Sequence, residues 1–331
     1  MLLALIAACA VNVFQRFGAY EPAPRLHGPG LVLDGAGASG SPDATLAWMH
    51  RRLLGETPAR GGNVVVLRAS YTNIDDKHFY RAGNFASVQT ILIPPCASRS
   101  QVSGVAPIVY RADAVYFAGG DQANYVRWKN SALIAAVKHV YERGGVVGGG
   151  SAGLAIQGAV VYDSVSADGI DVETTTADAT KNPLERRISF TTNMFAWPAL
   201  RDTITDTHVA ARDRLGRTVA FLARILHDDV LPNVKEVYGL GVDEGSAVVV
   251  DPDGMATLLN GPKGRGAWLI RASTPPQLTR GAPLNYTVDA AHLSRNGEHF
   301  DLLHKRVPVP WLSLTVDGSR DPVYSRDPYA P

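Results

Sequence analysis

Between residues 31 and 147 the chain repeats one alternation: a short apolar run, often β-branched, then a stretch with apolar residues at helical spacing. The strand-like runs fall at residues 31–33, 63–67, 89–93, 114–117 and 146–147, and the clearest helical stretches at 43–54 and 131–143. In the second helical stretch Leu133, Ile134, Val137, Val140 and Tyr141 share a face, and Gly144-Gly145 ends it. Strands separated by helices of this length build βαβ units. The expectation is therefore an α/β fold with a mainly parallel central sheet and helices on both faces. After Ser246 the pattern changes to short β-like runs at 247–250, 268–270 and 284–288, separated by turn residues such as Asp251-Pro-Asp-Gly254. That predicts a β-rich C-terminal portion, preceded by one helix over 215–226.

Composition narrows the functional classes. Thirty-two basic residues against thirty-one acidic ones give a net charge of +1, so the chain lacks the basic excess of a nucleic-acid binder. Two cysteines, Cys9 and Cys96, are too few for a disulfide framework or a cysteine-built metal site. Residues 1–14 are mostly apolar, too short to span a bilayer, and suit the core of a signal segment. Ala8-Cys9-Ala10 would be the small-residue cleavage site, and Ile6-Ala7-Ala8-Cys9 also resembles a lipoprotein signal. The positive n-region is missing, which points to a start further upstream. The expected location is exported, periplasmic or extracellular, with a lipid anchor as one form of it and a cytoplasmic protein as the alternative. Residues 15–30 read as a Pro- and Gly-rich linker, 31–304 as a single domain, and 305–331 as a peripheral tail.

The sharpest chemical signal is Gly148-Gly-Gly-Ser-Ala-Gly153, which contains G-x-S-x-G, follows a strand-like run and precedes a helical one. In that context the motif is a nucleophile elbow, a strained turn that lifts a serine above the edge of a sheet. Ser151 is then the candidate nucleophile, and the amide of Ala152 would face a developing oxyanion. A second glycine pair, in Ala118-Gly-Gly-Asp-Gln122, follows the 114–117 run and offers Gly120 as the other oxyanion donor.

Serine needs a base, and a histidine base needs an orienting carboxylate. Of the nine histidines, His208 stands apart, in Asp206-Thr-His-Val-Ala-Ala-Arg-Asp-Arg-Leu-Gly-Arg217. For the carboxylate, Asp243 and Glu244 both follow the apolar run 237–242, and active sites collect at the carboxyl ends of strands. Asp163, Asp168 and Asp206 are rivals. An order of Ser, His, acid differs from α/β-hydrolases, which run Ser, acid, His. An esterase using Ser151 with a late histidine, His292 or His299, is the competing enzyme reading.

Taken in order, Phe117-Ala-Gly-Gly-Asp-Gln122, Gly148-Gly-Gly-Ser-Ala-Gly153, the His208 segment and Gly241-Val-Asp-Glu-Gly245 resemble the peptidase E/cyanophycinase family of serine peptidases. The likeness runs roughly from Leu31 to Leu302 and implies a fold similar to class I glutamine amidotransferases. It implies Ser151 as nucleophile, His208 as base and Glu244, rather than Asp243, as the orienting acid. Arg212, Arg214 and Arg217 resemble the cyanophycinase branch, where such arginines and a glutamine, here Gln122, help hold substrate; Asp206 joins them as a proposed contact. Guanidinium groups there would clamp a carboxylate bidentately. Thr207 and Val209 depart from the branch, where Gln and Phe tend to flank the histidine. Arg68 also replaces a common proline, and the connection from His208 to Glu244 is longer.

The expected activity is hydrolysis of aspartyl or β-aspartyl peptide bonds through an acyl-enzyme, with no metal or organic cofactor. A peptide or cyanophycin-like substrate comes first, an aspartyl dipeptidase second, and a catalytically silent binding protein is the reading from another class. A dimer is an expected assembly. Gly35-Ala-Gly-Ala-Ser-Gly40 satisfies G-x-G-x-x-G, with Arg68 available for a 2′-phosphate, but Ser41-Pro42 starts the next helix too late for a dinucleotide site.

Overall fold

The computed structural model describes residues 9–22, 25–36, 43–70, 76–165 and 173–330. Its first sheet is built on β3 (Gly30–Asp34), β4 (Asn63–Arg68), β5 (Ser87–Leu92), β6 (Ala114–Phe117) and β7 (Val146–Gly150), paired in parallel in the order β5-β4-β6-β7-β3. Alternate residues of these strands serve two cores. Leu31, Val65, Phe117 and Val147 pack with Leu133, Val137 and Val140 of the helix Ala132–Glu142. Val32, Val64, Val66 and Val146 pack with Leu46, Met49 and Leu53 of the helix Asp43–Leu54. A strand apolar on both faces needs helices above and below, as these runs predicted.

The sheet continues past β3 with β12 (Ser246–Val250), β13 (Met255–Asn260) and β16 (His299–Asp301), all antiparallel. A second sheet runs in the order β17-β15-β14-β11-β10-β8-β9. It comprises β8 (Val160–Tyr162), β9 (Phe190–Thr192), β10 (Thr203–Thr207), β11 (Val237–Val242), β14 (Ala267–Ala272), β15 (Asn285–Leu293) and β17 (Leu312–Asp317). Only β8, β10 and β11 are parallel there. One face carries the helix Leu215–His227 through Leu215, Val219, Leu222 and Ile225; from the other, Leu240, Val242, Leu269 and Leu293 join the first sheet's core.

The expected single central sheet is thus two sheets, both mixed. One of the passages between them is the turn 243–245, where β11 ends in one and β12 begins in the other. Gly245, at φ +71°, makes that turn.

Both ends of the chain also differ from expectation. β1 (Asn12–Val13) and β2 (Phe17–Gly18) pair with β5, and Cys9 is disulfide-bonded to Cys96, which ties residues 9–18 to the first sheet. The two cysteines, too few for a disulfide framework, make one bond that fastens this N-terminal segment; a lipid on Cys9 would require the same sulfur. Residues 1–8 of that segment lie outside those described. The described part of the tail, residues 305–330, is tied in: β17 pairs with β15 along six residues, and Tyr324 and Tyr329 both donate to Asp213 Oδ1. Among the described residues no helix is long and apolar enough to cross a membrane.

Candidate active site

β7 ends at Gly150, and Ser151 follows in the left-handed region at φ +53°, a conformation that non-glycine residues adopt only when neighbours impose it. Its N–H donates to Asp34 O (3.1 Å), and its carbonyl accepts from Leu154 and Ala155 (both 2.9 Å) as the helix Ala152–Ala155 begins. The elbow leaves no room for a side chain at Gly153, where a Cβ would stand 2.0 Å from Phe117 O. Ala152 is the first residue of this helix, so its amide has no intrahelical acceptor and is free to serve a ligand. The Gly119-Gly120 loop lies directly over the serine: a Cβ on Gly119 would be 3.4 Å from Ser151 Cβ, and Gly120 has φ +148°.

The second sheet supplies the partners. β10 and β11 run in register with Thr207 beside Val242, so His208 and the 243–244 pair emerge from neighbouring strand ends. His208 Nε2 lies 2.7 Å from Ser151 Oγ, and His208 Nδ1 lies 2.6 Å from Glu244 Oε1. With this partner set Nδ1–H donates to the carboxylate, leaving Nε2 to accept from the serine hydroxyl. Burial is the main cause that lowers the His208 pKa below its ordinary value; the Arg212 charge adds to it, and Glu244 and Asp206 oppose it. The imidazole is therefore neutral at neutral pH, the form a general base requires.

Asp243 acts differently from its neighbour. Its Oδ1 accepts from Ala210 N and Ala211 N, each at 2.9 Å, and holds the turn that follows His208. The turn after β3 ties the halves of the site together. Gly35 N donates to Ser246 O (2.9 Å) and Gly245 N to Ala36 O (2.8 Å), while Asp34 O holds Ser151. A Cβ at Gly35 would stand 1.9 Å from Asp243 O. The first glycine of the G-x-G-x-x-G motif thus serves backbone approach to the Glu244 turn; residues 37–40 lie outside those described. Asp34 and Gly35 were missed as positioning residues in the sequence because a short-range motif does not show which distant turn it meets.

A polar cleft of about 240 Å³ opens beside Ser151, lined by Gly120, Gln122, Ala152, Glu173, Arg212 and Arg214 among others. Arg214 donates to Thr207 O (2.9 Å) and to Glu173, and burial with the Arg217 charge lowers its pKa below the usual guanidinium value. Arg212 is half exposed and stands 3.8 Å from Glu173 Oε2 and 3.9 Å from Glu244 Oε1. Asp206 corrects the sequence reading, whereas Arg217 does line the cleft. Both are buried, and Arg217 holds Asp206 bidentately, Nε to Oδ2 at 2.9 Å and Nη2 to Oδ1 at 2.5 Å. Asp206 also accepts from Thr218 Oγ1 (2.9 Å) and does not line the cleft. Its oxygens are committed to protein donors, so it is a structural partner rather than a substrate contact. Only Nη1 of Arg217 turns elsewhere, to Thr174 O (3.0 Å) and Glu173 (3.3 Å). Gln122 lines the cleft and donates to Tyr162 O at 3.3 Å.

The rival residues are engaged elsewhere. His292 bonds Arg265 O and stacks on Trp268, and His299 bonds Thr257 Oγ1, so neither hydrogen-bonds to Ser151. Asp163 accepts from Ser189 and Thr191, and Asp168 lies outside the described residues. Among the described residues no group of three His, Cys, Asp or Glu side chains comes together as a metal site.

No family model matches the chain, and no curated protein matches it. Among solved structures it is similar to a peptidase from an acI-B1 Actinobacterium, at 15% identity over 84% of this chain and 98% of that one, with a TM-score of 0.48. It is also similar to a protein provisionally named peptidase E from Listeria monocytogenes EGD-e, at 9% identity over 71% of this chain and 99% of that one, with a TM-score of 0.40. Likenesses this distant carry no argument about the chemistry, which rests on the geometry above.

Proposed function

We infer that the chain is a serine peptidase that cleaves an amide bond close to a carboxylate, with aspartyl and β-aspartyl peptides, cyanophycin-like ones first, as its substrates. The observation that carries the reading is the unbroken relay from Ser151 Oγ through His208 to Glu244, at 2.7 and 2.6 Å, beside a cleft lined by arginines.

In the proposed reaction His208 Nε2 takes the Ser151 proton as Oγ bonds to the substrate carbonyl carbon. The carbonyl oxygen gains the negative charge and is met by the amides of Gly120 and Ala152. Glu244 stabilises the imidazolium and keeps its orientation. Collapse of the adduct breaks the C–N bond, and His208 gives its proton to the leaving amine. A water, deprotonated by the same histidine, then releases the acid and restores Ser151. Arg212 and Arg214, with Gln122, are the proposed substrate contacts, the guanidinium groups donating to the carboxylate. The Cys9–Cys96 disulfide suits an oxidising compartment, and export is part of the proposal on that ground.

A panel of cyanophycin, β-aspartyl-arginine and α-aspartyl dipeptides, with products identified by mass, tests this. Release of free aspartyl products that stops in Ser151→Ala supports it; turnover that survives that substitution ends it.

A further inference from the structure

The arginines of the cleft already hold a carboxylate, and it belongs to the chain. Glu173 is bonded through Oε1 to Arg214 and Arg217 and faces Arg212 through Oε2 at 3.8 Å. The cations are anchored on the protein: Arg214 on Thr207 O, Arg217 on Asp206 and Thr174 O. Glu173 is not; its side chain is half exposed, and its bonds go to these arginines. The surroundings are those of a recognised substrate carboxylate, but the acid is supplied internally.

We propose that Glu173 is a specificity-determining residue: its carboxylate occupies the anion subsite formed by Arg212, Arg214 and Arg217, and a ligand's carboxylate binds by displacing it. The inference deepens the peptidase reading, whose arginine cluster it adopts, but concerns binding and not the serine chemistry. Two consequences follow from electrostatics alone. A ligand without a negative charge cannot replace what the arginines lose when Glu173 leaves, because buried guanidinium groups without an anion are strongly disfavoured. The subsite therefore rejects neutral isosteres more firmly than it welcomes acids. Acidic ligands also bind below the intrinsic affinity of three arginines, since affinity scales with the fraction of open subsites, and a site closed nine-tenths of the time binds roughly tenfold more weakly. Arg212 touches both this subsite and the triad, standing 3.9 Å from Glu244 Oε1, so an exchange of anions there alters the field on the carboxylate that orients His208.

The test is calorimetric titration of the full chain with succinate, a dicarboxylate with no bond to cleave. Glu173→Gln keeps the shape and removes the charge; it should bind succinate about tenfold more tightly than the natural chain. Glu173→Asp keeps the charge and should stay within about threefold of the natural value. Equal or weaker binding in Glu173→Gln, or the same gain in both variants, overturns the proposal. Should Glu173→Gln fold poorly, the natural chain still decides, by comparing succinate with its neutral isostere succinamide. Succinate must then bind at least tenfold more tightly, and equal affinities overturn the idea. Fluorophosphonate labelling of Ser151, measured separately, reports on the nucleophile. An unlabelled serine would sink the peptidase reading while the titration still judged Glu173.

Discussion

The two sheets meet at one site but build their shares of it by different means. The first sheet delivers Ser151 through apolar strands and glycines, where shape does the positioning: Gly153 and Gly35 sit where a Cβ would strike a carbonyl oxygen. The second sheet delivers His208, Glu244 and the arginines through ionic and hydrogen-bonded contacts, where nearly every charged group near the cleft has a charged partner. The contrast teaches that the nucleophile is held by packing, while the base and the anion subsite are held by charges that substitution or pH can retune.

The comparison breaks most sharply at Glu244. Glu244→Gln keeps the volume but removes the charge that supports the imidazolium, and kcat should fall roughly 10³–10⁴-fold. Unfolding by urea should change little, since the carboxylate is partly exposed. A fall of less than tenfold would mean that the second sheet does not orient the base as described.

Next comes Arg217→Leu. Removing one partner of the buried Asp206–Arg217 pair should cost about 3–5 kcal/mol of stability, because Asp206 is left buried and charged. Arg212→Ala, half exposed, should cost about 0–1 kcal/mol and act instead on KM for acidic peptides. Denaturant midpoints of the two variants check the difference; equal losses would contradict the contrast between the arginine buried against Asp206 and the half-exposed one.

The smallest effect on the site is expected at the tail. The Tyr329 hydroxyl accepts from Leu215 N at 3.1 Å and donates to Asp213, bracing the start of the helix that carries Arg217. Tyr329→Phe should cost about 1 kcal/mol in urea unfolding, with the Ser151 labelling rate unchanged.

The same contrast explains what was legible in the sequence. The elbow could be read because its constraint is local: glycine spacing around Ser151 and the strand before it occupy a few consecutive residues. The parallel strands could be read because burial on both faces leaves uninterrupted apolar runs such as Val64-Val-Val66. His208 stood out by its charged setting. The choice of Glu244 over Asp243 came from family resemblance; the geometry shows why spacing could not make it, since the two carboxylates leave one turn in different directions, one to backbone amides and one to the histidine. The second sheet was not legible, because the turn after Val242 resembles any hairpin and nothing local says that the next strand joins another layer. The role of Asp206 was misread for a related reason. A carboxylate two residues before a histidine looks available, and only the fold reveals that Arg217, in the first turn of the next helix, consumes it. Glu173 gave no local signal at all; its partners are 39 to 44 residues away.

The most direct measurement is the pH dependence of Ser151 labelling by a fluorophosphonate. Neutral His208 is the reactive form, and burial holds its pKa below the ordinary value of 6.5. The labelling rate should therefore stay high as the pH falls through 6.5, drop only below it with a single ionisation, and collapse in His208→Ala. A rate that is flat with pH, or indifferent to the loss of His208, would contradict the account.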